Sequence, residues 1–485
     1  MTMNKTKTIL YSTLLGITML TSSCSDFTDL QPKGKNLLET TDQLEMLLNA
    51  EFATLPCDEM VMCGDVVNAS SNVPSQISQP VKTRNVIMWT WDADNQDKMA
   101  ELTSTDSQYS EFYGYIGKIC NPILTQIDAA TGDEAKKKQL KCEVLTLRAY
   151  IHYLLVNKFA KAYNPSTAAT DRGIIYMTED KDISVPQEQS TVQEVYDNII
   201  KDVNEAIELD GLPAVAVNRM RMSKPCAYAV KALALLSMQD WSGAEEAANQ
   251  ALALNGAVDD YNKLLTKTVT GMVTGGTYNV LFRQRLQCEE DLFYTHNIES
   301  MDGATPEAAT HIEKGNLAYY GLTSADMYFD YTMSYSNMVL GVTGYNITFD
   351  LDSGWNACGL KTTYMYLVVA EAELHNGNID KAMEALDKIR VNRIKTDEYA
   401  PLKGRVTTEA DAIKHIKETS SGEGIWSVYN FINRKRWNQI SGWQETYKRT
   451  IGDATYSIAP DSPLWIFPLP LDALNNNPNL KQNYK

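Results

Sequence analysis

The sequence predicts a mostly α-helical chain, a scaffold of tetratricopeptide-like helix pairs carrying two irregular insertions of loops and short strands. Three observations lead there. Apolar residues recur at helical spacing through long stretches. Two segments place small residues where antiparallel helices would touch. Two further stretches, rich in Gly, Thr, Tyr and Asn or broken by turn residues, carry no helical period.

Residues 37–50 (LLETTDQLEMLLNA) form the first predicted helix. Residues 107–130 form the next, with Tyr109, Tyr113, Ile116, Ile123 and Ile127 on one face and a kink expected at Pro122. Residues 135–159 follow, with an apolar face through Leu145, Leu154, Leu155 and Phe159, and residues 190–209 open on Ser190-Thr191 and Glu194, a capping box. Two later helix pairs have tetratricopeptide spacing. One carries Ala232, Ala244 and Ala251 around a turn at Asp240-Trp241; the other carries Ala370 and Ala382 around Gly377, which ends its first helix in a left-handed conformation. The irregular insertions are about 56–106, with Trp89 and Trp91 in MWTWDAD, and about 257–360. Loops on a rigid scaffold are the expected seat of binding.

The N-terminus begins with Lys5 and Lys7, runs apolar from Ile9 to Leu20, and reaches Thr21-Ser22-Ser23-Cys24. The run is signal-peptide length and too short to span a bilayer permanently. Small residues ending at a cysteine resemble a bacterial lipobox. Residues 1–23 are therefore expected to be a lipoprotein signal peptide, Cys24 the lipid attachment site, and 24–485 a single domain. Acyl chains at about 0.8 kcal/mol per buried methylene make a firm anchor. Ser25-Asp26 resembles the acidic tag that sends Bacteroidetes lipoproteins to the cell surface.

With 44 basic and 61 acidic side chains the chain carries a net charge of −17. It should repel nucleic acid and suit neutral ligands or a basic partner surface. The eight cysteines include Cys24; the rest are scattered and do not form a disulfide framework. Cys120, Cys142 and Cys226 read as buried thiols, and Cys57 and Cys63 are close enough in sequence for a local bridge. The five histidines are isolated and no Cys-x-x-Cys occurs, so neither a metal nor any other cofactor is expected. GMVTGG lacks the Lys-Ser/Thr of a phosphate loop. DLDSG at 350–354 reads as a surface loop rather than a calcium site.

The segment YMYLVVAEAELHNGNIDKAMEALDKIRVNR (364–393) has an AEA-type helix, an NGN turn, and a helix ending in Arg390 and Arg393. Leu464 to Tyr484 closes the chain with Phe-Pro-x-Pro, Asn-Pro and Gln-Asn. With YGYIGKICNPILTQI (113–127), CEVLTLRAYIHYLLVNKFA (142–160) and TVQEVYDNIIKDVNEAI (191–207), these resemble the SusD-like (RagB/SusD) outer-membrane nutrient-binding lipoproteins of Bacteroidetes. The chain departs from the pattern where Trp426 stands in place of a common arginine after Glu423-Gly424, and where AKAYNPSTAATDRG replaces a Gly-Asp-x-Pro-type segment. The resemblance implies a surface lipoprotein without catalysis that captures an oligosaccharide and delivers it to a SusC-like TonB-dependent outer-membrane transporter.

Glycan binding needs flat aromatic faces for pyranose rings and polar side chains for hydroxyls. Two groups offer both: Asp65, Arg84, Trp89, Trp91, Asp92 and Asn95 early, and Tyr319, Tyr320, Tyr328, Tyr331 and Tyr335 later. On a strand Trp89 and Trp91 would share a face, as one stacking surface or one buried strip. Trp241, Trp437 and Trp465 read as packing, and His152 and His375 as structural residues on helices. A surface glycoside hydrolase would need two carboxyls across a cleft. A ligand-free repeat scaffold and a peptide-uptake protein are the other competing readings.

Overall fold

The computed structural model describes residues 38–485 apart from 53–56, 69–75, 183, 265–266, 271–276, 281–285, 296–301, 305–306, 318–345, 348–355 and 452. Helix α1 (Thr41–Leu48) starts at Thr40, whose hydroxyl accepts from the Gln43 amide while the Gln43 side chain bonds back to the cap.

The early insertion is more helical than its sequence suggests. It holds α2 (Asp58–Cys63), strand β1 (Val66–Asn68), α3 (Arg84–Thr90) and α4 (Gln96–Glu101). None of these helices exceeds two turns, so no 3.6-residue period can build up in the sequence. Trp89 and Trp91 are accordingly not on a strand. Thr83 caps α3 by accepting from the Val86 amide, Trp89 lies in its last turn, and Trp91 ends it with φ 47°.

Helix α5 (Ser107–Tyr115) continues through a π turn, Ile116–Cys120, into α6 (Asn121–Gln126). The kink expected at Pro122 takes this form: the hydrogen-bond ladder widens just before the residue that has no N–H to donate. The predicted helices follow as α7 (Glu134–Phe159) and α8 (Val192–Leu209), the latter opening on a Thr191–Glu194 capping box. Next come α9 (Lys224–Ser237) and α10 (Trp241–Leu254).

The second insertion contains α11 (Tyr261–Leu264), the antiparallel pair β2 (Lys267–Thr270) and β3 (Thr277–Val280), then β4 (Asp291–Phe293), β5 (Asp302–Ala304) and β6 (Asn346–Ile347), and ends at β7 (Leu360–Lys361). β5 lies between β1 and β6, which ties the two insertions into one small sheet. β4 pairs with β7. The chain then forms α12 (Thr362–His375), α13 (Ile379–Arg390), α14 (Glu409–Gly424), α15 (Tyr429–Trp437), the hairpin β8 (Tyr447–Ile451) and β9 (Ala454–Ile458), and α16 (Leu471–Asn476).

The long helices pack in order: α7 on α8, α8 on α9, α9 on α10, α10 on α12, α12 on α13. The stack is continuous although the second insertion interrupts the sequence between α10 and α12. Ala232, Ala244, Ala251, Ala370 and Ala382 are all fully buried at these contacts, as their spacing predicts. Asp240 caps α10 by accepting from the Gly243 amide at 3.0 Å, and Gly377 ends α12 with φ 82°. Where the insertion leaves and returns, the Tyr366 hydroxyl donates to the Gly256 carbonyl at 3.0 Å and Thr362 donates to Ala257.

Candidate functional site

The early candidate residues divide into an interior group and an outer group. Asp65 is 2% exposed. It pairs with Arg434 at 2.8 Å and lies 3.4 Å from both His311 and Asn430. Burial works to raise its pKa, but Arg434 and His311 outweigh that and hold the carboxyl below its ordinary range. Trp89 and Trp91 are 2% and 5% exposed. Trp91 donates its indole N–H to the Met62 carbonyl at 2.8 Å and lies under the Arg449 guanidinium. Arg449 also donates to the Trp89 carbonyl at 3.0 Å. A Cβ at Gly64 (φ 86°) would come within 2.8 Å of the Trp91 ring, so a glycine is needed there on both counts. Aromatic faces this enclosed cannot stack on a sugar. The two indoles form a buried strip, not a binding platform.

The outer group is partly exposed. Arg84, in the first turn of α3, pairs with Asp58 at 2.7 Å and donates to Thr103 at 3.1 Å. Asp92 pairs with Lys82 and accepts from Asn95 at 3.0 Å. Cys24, Tyr319, Tyr320, Tyr328, Tyr331, Tyr335, Trp355 and the 350–354 stretch lie outside the described residues.

The motif residues are held inside. Arg393 is bidentate on Glu423 at 2.7 and 3.0 Å, reaches Glu290 at 2.6 Å, and stacks over Tyr261 at 3.8 Å. Arg390 clamps Glu313 and Asp387. Glu371 accepts from Arg436 and from the Trp437 indole at 3.0 Å, while His375 stacks on Trp241 at 3.8 Å. His152 is buried; its Nδ1 lies 2.9 Å from the Arg148 carbonyl and its Nε2 accepts from the Met177 amide at 3.0 Å. Both histidines are structural, as expected.

Two titratable groups stand out. Burial pushes Glu59 up to about 7 against the pull of Lys158, 3.7 Å away. Burial pushes Lys435 down to about 7; its ammonium donates to the Asn157 and Ala160 carbonyls at 2.6 and 2.5 Å. Cys57 and Cys63 are separate buried thiols. They sit at opposite ends of α2, and six residues of helix rise set them about 9 Å apart, beyond disulfide reach. Cys57 instead lies 4.0 Å from Cys358. Among the described residues no group of three or more His, Cys, Asp or Glu side chains is placed to hold a metal ion.

A surface groove of about 400 Å³, with Tyr109 and Tyr113 in its wall, lies between α5, its π turn, the 184–187 segment and α16. No helix among the described residues is long and apolar enough to cross a membrane.

Residues 27–236 match the family SusD-like_3, described as starch-binding associating with outer membrane. That match covers just under half of the chain and makes its N-terminal part similar to the SusD-like family. Solved structures carry the same fold over nearly the whole chain. A SusD-like carbohydrate-binding protein from Bacteroides vulgatus is 16% identical with a TM-score of 0.61, the match covering 92% of this chain and 98% of that one. A SusD superfamily protein from Bacteroides thetaiotaomicron is also 16% identical with a TM-score of 0.61, covering 92% and 99%. Surface glycan-binding protein A of Bacteroides thetaiotaomicron, solved in complex with laminarihexaose, is 14% identical with a TM-score of 0.60, covering 92% and 100%. No curated protein sequence matches this one.

The R-x-x-R pair and the Glu423-Gly424 motif meet in the structure: the Arg393–Glu423 pair joins the end of α13 to the end of α14. The sequence offered no sign of Arg434 and Arg449 as partners of Asp65 and Trp91. Both lie more than 340 residues further along the chain than the residues they hold.

Proposed function

We propose that this protein is a cell-surface lipoprotein that captures oligosaccharides and delivers them to a SusC-like TonB-dependent transporter, without doing chemistry on them. The match of residues 27–236 to a family described as starch-binding associating with outer membrane carries the reading. A structural relative holding laminarihexaose on the same fold supports it. Cys24, behind a signal-peptide-like run, would supply the anchor. The perturbed carboxyl Glu59 is fully enclosed, which suits a structural role better than general acid work. Tyr319, Tyr320, Tyr331 and Tyr335, with the partly exposed Arg84, Asp92 and Asn95, remain the proposed contacts.

Affinity electrophoresis of residues 25–485 in gels containing starch, laminarin and other plant, host and microbial polysaccharides tests the reading. Retardation by one class identifies the ligand. Absence of retardation by any of them, with binding of peptides instead, overturns it. Release of product from a retained glycan would overturn the non-catalytic part.

A further inference from the structure

The groove beside α5 is lined by tyrosines whose inner sides pack on the core and by exposed polar side chains. Tyr109 and Tyr113, one helical turn apart, line it with ring centroids 4.7 Å from each other. Tyr113 is fixed by its hydroxyl, which donates to the Ile175 carbonyl at 2.8 Å. Tyr109 is half-buried, packed edge-to-face on Phe159 at 5.4 Å, and its hydroxyl has no hydrogen-bond partner among the described residues. Lys118, in a strongly acidic chain, has no ion-pair partner among them either, and the Asn476 amide on the opposite wall is similarly unengaged.

The floor is unusual too. Gly114 and Gly117 lie on α5 and its π turn, where each glycine costs roughly 1 kcal/mol relative to alanine. The common reason for a helical glycine is close approach of another element. Here a Cβ at Gly117 would meet nothing within 4 Å, and one at Gly114 would meet only the Lys118 ammonium at 4.0 Å. The space above these glycines is the groove itself. The π turn widens the same stretch of backbone, and such turns concentrate at functional sites.

The far wall is held in place. Asn477 donates to the Gln187 carbonyl at 2.8 Å, and Asn479 to the Pro186 carbonyl at 3.3 Å, so the C-terminal tail braces the 184–187 segment. Val185 projects from that segment with 52% of its surface exposed. The result is a braced cleft with a tyrosine ledge, an apolar edge, and a hydroxyl, an amide and an ammonium left without partners. A flat, hydroxyl-rich ring meets both demands, because its C–H face stacks on an aromatic while its rim takes hydrogen bonds. A volume of about 400 Å³ suits a small ligand of that kind.

We propose that this groove is a saccharide-binding site for one or two sugar rings, with Tyr109 as the stacking residue and Lys118 and Asn476 as hydroxyl partners. The proposal rests on the glycan-binding reading above and adds a location on residues that the sequence alone does not single out for binding.

Two variants test it without touching the core. Gly117→Leu fills the groove at a position with open space around it, and Tyr109→Phe removes only the unpartnered hydroxyl. Affinity electrophoresis against whichever of starch and laminarin retards the parent protein should show at least tenfold weaker binding for G117L and a severalfold loss for Y109F, with melting temperatures unchanged. Parental retardation of both variants overturns the site while leaving the glycan-binding function standing. A parent that no polysaccharide retards defeats the function and the site together. If G117L alters the melting temperature, Y109F with Lys118→Ala decides, since neither the Tyr109 hydroxyl nor the Lys118 ammonium has a hydrogen-bond or ion-pair partner among the described residues.

Discussion

Arg449 lies over Trp91, its guanidinium carbon 4.6 Å from the ring centroid, while the indole N–H is spent on the Met62 carbonyl. Both faces of function for this tryptophan, stacking and hydrogen bonding, are therefore used inside the protein. The hairpin β8–β9, through Arg449, and the helix α3, through Trp91, lock to each other there.

Trp91→Ala should therefore act on stability. Truncating a buried tryptophan costs about 3–5 kcal/mol. Urea unfolding should show that loss, while any polysaccharide retardation of the parent is kept by the fraction that stays folded. A variant of parental stability that had lost binding would contradict the interior placement.

The Arg393 cluster makes a second prediction. Arg393→Ala removes the cation between Glu290 and Glu423 and leaves buried carboxylates facing one another, a change that costs about 3–5 kcal/mol. Arg393→Lys keeps the charge but loses the bidentate fork, so it should be only a partial rescue. Thermal denaturation of the two variants against the parent checks both the size and the order.

Glu59 gives a pH dependence with a definite sign. Its folded pKa of about 7 lies above its ordinary value of 4.5. The folded state therefore holds a proton that the unfolded state has released, and stability falls as pH rises between those values. Glu59→Gln removes that slope. The variant's advantage over the parent should grow from pH 4.5 to 7 by about 2–3 kcal/mol and then level off. Denaturant melts at pH 4.5, 5.5 and 7.5 measure it; a difference that does not change with pH would show that Glu59 does not titrate in this window.

Cys57 and Cys358 should be the pair that oxidises. Their sulfurs are 4.0 Å apart, whereas Cys57 and Cys63 are held at opposite ends of a helix. Treatment with diamide followed by non-reducing peptide mapping should recover the 57–358 cross-link. Recovery of a 57–63 link would mean that α2 is not helical in solution.

The scaffold was legible from the sequence because its helices are long enough to repeat. Ala232, Ala244 and Ala251, or Ala370 and Ala382, announce a close helix contact with no knowledge of the partner. Thr191 with Glu194 marks a helix start within one residue of its true place. The short helices α2, α3 and α4 were not legible, because two turns carry no period and the tryptophan alternation in MWTW fits a strand equally well. Nor could spacing tell that Trp89 and Trp91 are interior. Exposure there depends on Arg449, and the covering residue comes from a distant hairpin. The groove at Tyr109 escaped for a related reason. Its ledge reads as an ordinary apolar helix face, and only the empty space over Gly117 separates a binding wall from a core wall.

Helices α10 and α12 pack directly, and the residues at the mouth of the second insertion, Gly256 and Ala257 on one side and Thr362 and Tyr366 on the other, are stitched together by hydrogen bonds. The insertion thus begins and ends at one place on a scaffold that closes beneath it. Such a junction makes the insertion a cassette: its length and composition can change without disturbing the helices that meet under it.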